Sequence, residues 1–181
     1  MLTGPDASEA AIKRMSRDGT LARFPVIHFA AHGFAVPEAP DLSALVLTPG
    51  GGSTSKGGSM PGEGSAPEDG YLTAREIAGL KLNAQFVNLS ACETGMGRIL
   101  GGEGVVGLSE AFLTAGARSL SVSLWQVSDE GTRTFMTELY RAVTGRGLSF
   151  ARAMTEVKRA FIREGPFREP FYWAPFVYYG R

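Results

Sequence analysis

The sequence predicts an α/β domain, a mostly parallel sheet with helices on both faces. Two observations carry that expectation. Apolar strand-like runs alternate with helical patterns from one end of the chain to the other. Two of the runs, Val26-Ile27-His28-Phe29-Ala30-Ala31 and Val87-Asn88-Leu89-Ser90, pass into small and polar residues, as a buried parallel strand does when it becomes a loop. The carboxyl ends of such strands are where open α/β sheets place their chemistry. Here one presents His32-Gly33 and the other Cys92, the one cysteine in 181 residues.

The elements follow in order. Asp6-Ala7-Ser8-Glu9 has the form of a capping box with Asp6 as N-cap, and Ala11, Ile12 and Met15 give a narrow apolar stripe, so a helix is expected to about Arg17. A strand from Pro25 to Ala30 is rich in β-branched and aromatic residues. After His32-Gly33 comes a Pro-containing loop, then Leu42 to Thr48 as an extended or hairpin segment. Residues 49–69 are Gly, Ser and Pro almost throughout and read as a flexible surface loop. Thr73-Ala74-Arg75-Glu76 is a second capping box, and Gly79 stops the short helix it opens.

A strand from Gln85 to Ser90 delivers Cys92, and a glycine-rich stretch, Gly95 to Gly104, leads into a buried helix from Val105 to Ala115. Arg118 to Trp125 is a strand, Glu130 to Thr144 and Ser149 to Arg163 are amphipathic helices, and Pro175 to Tyr179 is a terminal strand. In the second of those helices Phe150, Ala153, Met154, Val157, Phe161 and Ile162 fall on one stripe. There is no internal repeat, and residues 1–181 read as one domain.

Composition excludes several function classes. Hydrophobic content of 44% with 20% charged residues is globular. Eighteen basic residues balance eighteen acidic ones with no basic run, which argues against nucleic acid or an anionic membrane surface as partner. No apolar run approaches the ~20 residues that span a bilayer, and no signal peptide is visible at the N-terminus. A lone cysteine forms no internal disulfide, so a cytoplasmic location is expected.

A thiolate attacks carbonyls, and an imidazole beside a thiol accepts its proton, which is why Cys and His recur as nucleophile and base. The separation 92 − 32 = 60 residues suits two strand ends of one sheet, near the roughly 50 residues between His and Cys in caspases. A free cysteine is also commonly a small buried hydrophobe, and spacing does not separate the two. Gly33 lets the backbone approach a bound carbonyl, and the N–H groups of Gly33 and Cys92 would hold an oxyanion. His28, inside its strand, reads as a core histidine.

Other motifs carry less. Gly102-Glu103-Gly104-Val105-Val106-Gly107 matches a dinucleotide fingerprint but starts 102 − 90 = 12 residues after the strand, so it reads as tight helix–strand packing below the active site. No nucleophile elbow or P-loop is present, and one cysteine with two histidines and no carboxylate cluster does not make a zinc site. No cofactor is expected.

His28-Phe29-Ala30-Ala31-His32-Gly33 and Leu89-Ser90-Ala91-Cys92-Glu93-Thr94-Gly95 resemble the two signature blocks of CHAT domains. These are caspase-like cysteine peptidases related to separases, gingipains and legumains, often fused to TPR arrays in bacteria. The resemblance continues through Asp69 to Ile77, Gly102 to Leu108, Ala111-Phe112-Leu113, Gly116 to Ser119, Ser123-Leu124-Trp125 and Tyr172 to Phe176, and so covers nearly the whole chain.

It implies a three-layer caspase-like fold, with His32 as general base or acid, Cys92 as nucleophile, and Gly33 and Cys92 as oxyanion donors. A Trp125-Gln126-Val127-Ser128-Asp129 block similar to one in separases implies Asp129 at the S1 pocket, favouring Arg or Lys at P1. Asp129 equally suits a helix N-cap. Cleavage after Arg98 would be self-processing, and the alternative is an ordinary solvated arginine. The partners implied are a protein or peptide substrate and an upstream regulatory domain or chain of TPR type.

CHAT domains usually carry two further sheet strands ahead of the first helix seen here. Without them the Val26–Ala30 strand would keep an unpaired edge. The chain then reads as a fragment, a wrongly started gene product or a half-domain completed by a partner. The alternative to a peptidase is a non-catalytic interaction module of the same fold.

Overall fold

The computed structural model describes residues 1–36, 38–49, 68–90 and 103–180. Its centre is a four-stranded sheet in the order β1-β5-β6-β7, with β1 Val26–Phe29, β5 Phe86–Leu89, β6 Ser119–Ser123 and β7 Phe176–Gly180. β1, β5 and β6 run parallel, and β7 returns antiparallel to β6. Among the described residues β1 pairs on one side alone, with β5. A second, antiparallel sheet has the order β2-β3-β4, from β2 His32–Phe34, β3 Ala44–Val46 and β4 Tyr71–Thr73.

Helices cover both faces of the central sheet, as the alternation of elements predicts. On one face lie α1 Glu9–Arg17, α2 Ala74–Ala78 and α3 Glu103–Thr114. Ile12, Ile77, Leu108 and Phe112 from these helices meet Phe29, Val87, Leu89, Leu120 and Val122 of the sheet. On the other face α4 Asp129–Arg146 and α5 Phe150–Arg163 bring Phe135, Leu139, Met154, Val157 and Phe161 against Phe86 and Phe176. Strand residues divide between these cores by strict alternation, since successive side chains leave opposite faces. Phe150 stacks on Phe86 with ring centroids 3.9 Å apart. Phe86 is wholly buried, and a buried phenylalanine contributes about 1.5–3 kcal/mol of transfer free energy.

Local differences from the sequence expectation have physical reasons. The N-cap of α1 is Ser8, whose Oγ accepts from the Ala11 N–H. Asp6 instead ends a short 3₁₀ turn, Gly4–Asp6, and Glu9 turns inward to Lys13 and the Gly70 N–H. The box at Thr73 forms as expected, with Thr73 and Glu76 each satisfying the other's backbone N–H. Ile162 lies off the buried stripe of α5 and stays 45% exposed. A short helix, α6 Pro170–Trp173, precedes β7 where the sequence showed no element. Gly107 of α3 approaches the 3₁₀ turn Pro40–Leu42, not a strand: a Cβ there would lie 2.6 Å from the Pro40 carbonyl oxygen. Residues 50–67 of the expected flexible loop lie outside the described residues.

Candidate active site

Because β1, β5 and β6 are parallel and adjacent, they end at one edge of the sheet. After two intervening residues, Ala30 and Ala31, the chain enters β2 at His32. From β5 it passes through Ser90, whose N–H donates to the Phe29 carbonyl at 2.9 Å. From β6 it reaches Asp129 after five residues, 124–128. The three predicted site segments therefore leave three neighbouring strands at the same edge. Cys92 and Arg98 themselves lie outside the described residues.

His32 is exposed and opens β2 opposite Val46, so the turn expected after the strand is the start of a second sheet. Among the described residues its ring makes no hydrogen bond. The backbone of Gly33 is set by the register of that sheet. Leu47 N–H donates to the Gly70 carbonyl at 2.8 Å and Ala74 N–H to the Ser43 carbonyl at 2.7 Å. Bonded and non-bonded pairs alternate along an antiparallel ladder. Positions 43, 45 and 47 thus turn their polar groups toward β4, and Ala44 and Val46 turn theirs toward β2. Gly33, opposite Leu45, takes the non-bonded position and points its N–H away from β3.

Asp129 is exposed and is the first residue of α4, not its N-cap. Ser128 caps, its Oγ accepting from the Gly131 N–H at 3.2 Å. A carboxylate in the first turn also complements the positive end of the helix dipole. The preceding loop is tied to α6 by Trp125, whose Nε1–H donates to the Phe171 carbonyl at 3.1 Å.

The expectation of a core position for His28 does not hold. His28 sits on the α4 side of β1, is exposed along one side of its ring, and is the hub of a polar cluster. Asn88, its register partner on β5, donates from Nδ2 to His28 Nε2 at 3.0 Å and to Ser90 Oγ at 2.8 Å. Ser90 Oγ lies 3.0 Å from the same Nε2. Tyr140 of α4 places its hydroxyl 3.1 Å from Nδ1. With the Asn88 amide in this orientation its nitrogen donates, which assigns Nε2 as acceptor and the proton of the neutral ring to Nδ1, facing the Tyr140 hydroxyl. The protein around the ring disfavours the imidazolium and lowers its pKa below the ordinary histidine value. Burial pushes the Tyr140 phenol up to about 12.

The register continues this polar row across the sheet, His28 to Asn88 to Ser121. Asn88 and Ser121 are wholly buried. Sequence reasoning missed the cluster, although a signal was present: His28, Asn88, Ser90 and Ser121 are polar residues at alternating strand positions, where an all-apolar face is the rule for parallel strands. Tyr140, 140 − 28 = 112 residues away from His28, left no such trace.

Among the described residues no group of three or more His, Cys, Asp or Glu side chains is placed to hold a metal ion. No helix described is long and apolar enough to cross a membrane. The chain is 29% identical over 183 aligned positions to Tetratricopeptide repeat protein 28 of mouse, and 29% identical to the human protein of that name. Each alignment covers 88% of this chain and 7% of the relative, so the chain spans a small part of the curated proteins it matches. The CHAT domain family model matches residues 1–181. With the sheet order, the helical layers and the signature segments on adjacent strand ends, the match assigns the chain to the CHAT domain family, which is related to the caspase-like peptidases.

Proposed function

We propose that this CHAT domain is a cysteine endopeptidase that cleaves protein substrates through an acyl-enzyme. The observation that carries the reading is the Ser90–Phe29 hydrogen bond. It ties the chain two residues before Cys92 to the chain three residues before His32, so nucleophile and base would leave adjacent strands side by side.

In the proposed reaction His32 takes the thiol proton and the Cys92 thiolate attacks the scissile carbonyl. The N–H groups of Gly33 and Cys92 hold the tetrahedral oxyanion, and the Gly33 N–H, which is turned away from β3 and not used in that ladder, supports that role. The C–N bond breaks as His32 returns the proton to the leaving amine. Water then attacks the thioester, losing a proton to His32, and the thiol is restored as the carboxylic acid leaves. Asp129, on the next strand end, would receive an Arg or Lys side chain at P1. The names of the relatives support a TPR-type partner domain or chain.

A peptide chloromethyl ketone with arginine at P1 tests the reading. Cys92 is the chain's one thiol, so mass spectrometry reads the site directly. Labelling of the wild type, lost in Cys92→Ala and slowed in His32→Ala, is the expected result. A folded wild type that resists the reagent argues for the second reading, an interaction module. The single-sided pairing of β1 among the described residues favours that reading, since such an edge accepts an added strand.

A further inference from the structure

The His28 cluster has no part in the reaction just described, yet it is built like a device. Its four members come from three elements, β1, the end of β5 and α4, and converge on one imidazole. Its position is the last point at which the described chain is held before Cys92. Ser90 is fixed there twice, by its N–H on the Phe29 carbonyl and by its Oγ among Asn88 and His28.

We propose that His28 is a positioning residue, whose unprotonated Nε2 gathers Asn88 and Ser90 and so holds the chain leading to Cys92 against β1. The inference rests on the reading of Cys92 as nucleophile. His28 itself touches neither substrate nor thiol in this account and acts through Ser90.

The chemistry requires a neutral ring. Nε2 accepts only while it lacks a proton, and an imidazolium would set an N–H against the Asn88 amide donor. The ring's preference for the neutral form agrees, desolvation being its cause. Tyr140, from α4, is the titratable group facing the ring, and its raised pKa keeps it a neutral hydroxyl across the physiological range. From β5 the facing groups are Asn88 and Ser90, neither of which titrates. Among the described residues no charged side chain contributes to the shift of His28. Protonation of His28 therefore loosens the cluster: below its depressed pKa the Nε2–H opposes the Asn88 amide, and Ser90 is left with its N–H bond to the Phe29 carbonyl as the main tie to β1.

Two measurements test this independently of peptidase activity. The chain has two histidines, so ¹⁵N imidazole spectra, assigned with His32→Asn, read His28 alone. The Nδ1–H tautomer and a titration below the ordinary histidine range are expected. The Nε2–H tautomer overturns the proposal. Hydrogen exchange of the Ser90 amide is compared in His28→Leu and His28→Gln, the latter keeping an uncharged acceptor oxygen near the Nε2 position. Exchange about tenfold faster in the leucine variant but near wild type in glutamine is expected, the worth of one charge-free hydrogen bond. Equal exchange in both variants overturns it.

A third arm reads the consequence for the thiol. The pH profile of chloromethyl ketone labelling should show, beyond the acid limb set by the Cys92 thiol and its base, a second acid limb that His28→Gln removes and Tyr140→Phe shifts. If the wild type does not label at any pH while the tautomer and exchange results hold, the peptidase reading fails and the positioning of Ser90 stands.

Discussion

Asn88 and Ser121 face each other across β5 and β6, both wholly buried, and among the described residues Asn88 Oδ1 and Ser121 Oγ have no hydrogen-bond partner. A buried polar atom left unpaired costs about 1–3 kcal/mol. The two orphans differ in what else their side chains do. Ser121 holds nothing through its hydroxyl, so Ser121→Ala should be neutral or stabilising by up to about 1 kcal/mol. Asn88→Ala removes both donors to His28 and Ser90 and opens a void under α4, and should cost about 2–4 kcal/mol. Urea unfolding of the two variants checks the opposite signs.

The stability of the fold should rise with pH through the range below neutrality. His28 has a folded pKa below its unfolded value of about 6.5. Between those two values the unfolded chain binds more protons than the folded one, so unfolding is favoured as pH falls, and the penalty is complete below the folded pKa. Denaturant midpoints between pH 5 and 8 should slope upward in the wild type. The slope should flatten in His28→Gln, whose side chain does not titrate.

The layered architecture was legible because each element announced itself locally. The apolar runs at 26–30 and 85–90 and the amphipathic stripe of α5 needed no tertiary information, and the Thr73–Glu76 box formed as written. The errors lie where a longer-range partner won. Glu9 reads as half of a capping box with Asp6, but Lys13 and Gly70 draw it inward and Ser8 caps in its place. Ile162 continues the spacing of its helix yet falls at the margin of the contact, where nothing covers it.

The site was legible in its segments more than in its contacts. The Ser90–Phe29 bond sets side by side the two strand ends that the sequence singled out. His28 was misread because a histidine inside an apolar strand looks like core from either neighbour. What makes it a hub is Asn88 in register and Tyr140 on α4, and pairing register across a crossover is not written in local sequence.

Glu9 clamps α1 to the segment that opens β4. It is 1% exposed, and its carboxylate accepts from Lys13 Nζ and from the Gly70 N–H at 3.0 Å. Lys13 also donates to Glu76 at 2.8 Å, which joins α2 to the same clamp. Burial raises the pKa of Glu9 despite these donors, whereas at Glu76 the Lys13 and Thr73 bonds outweigh burial and lower it. Glu9→Ala would leave the Gly70 N–H unpaired and should cost about 2–3 kcal/mol. Melting should fall by about 5–10 °C for a chain of this size. Glu76→Ala leaves the more buried Glu9–Lys13 pair intact and should cost less, close to the loss of the Thr73 box at about 1 kcal/mol. A double-mutant cycle should return a coupling between the two glutamates, because they share Lys13.

Alanine at three glycines should separate space from helix propensity. Gly116 has φ +111°, where an L side chain is strained, and a Cβ there would lie 2.4 Å from the Leu82 carbonyl oxygen. Backbone cannot swing aside as a flexible side chain can, so Gly116→Ala should cost about 2–4 kcal/mol and loosen the link from α3 to β6. Gly107 lies in α3, where alanine gains up to about 1 kcal/mol of propensity. The Pro40 carbonyl 2.6 Å from its Cβ position opposes that gain, and overpacking of about 1–3 kcal/mol should leave the variant destabilised. Gly145, near the end of α4, has no atom within 4 Å of a Cβ and no positive φ. There the propensity gain is unopposed, and Gly145→Ala should stabilise by about 0.5–1 kcal/mol. Thermal unfolding of the three variants should therefore order Gly116→Ala below Gly107→Ala, with Gly145→Ala above the wild type. A stabilised Gly107→Ala would mean that α3 can move away from the Pro40 turn at little cost.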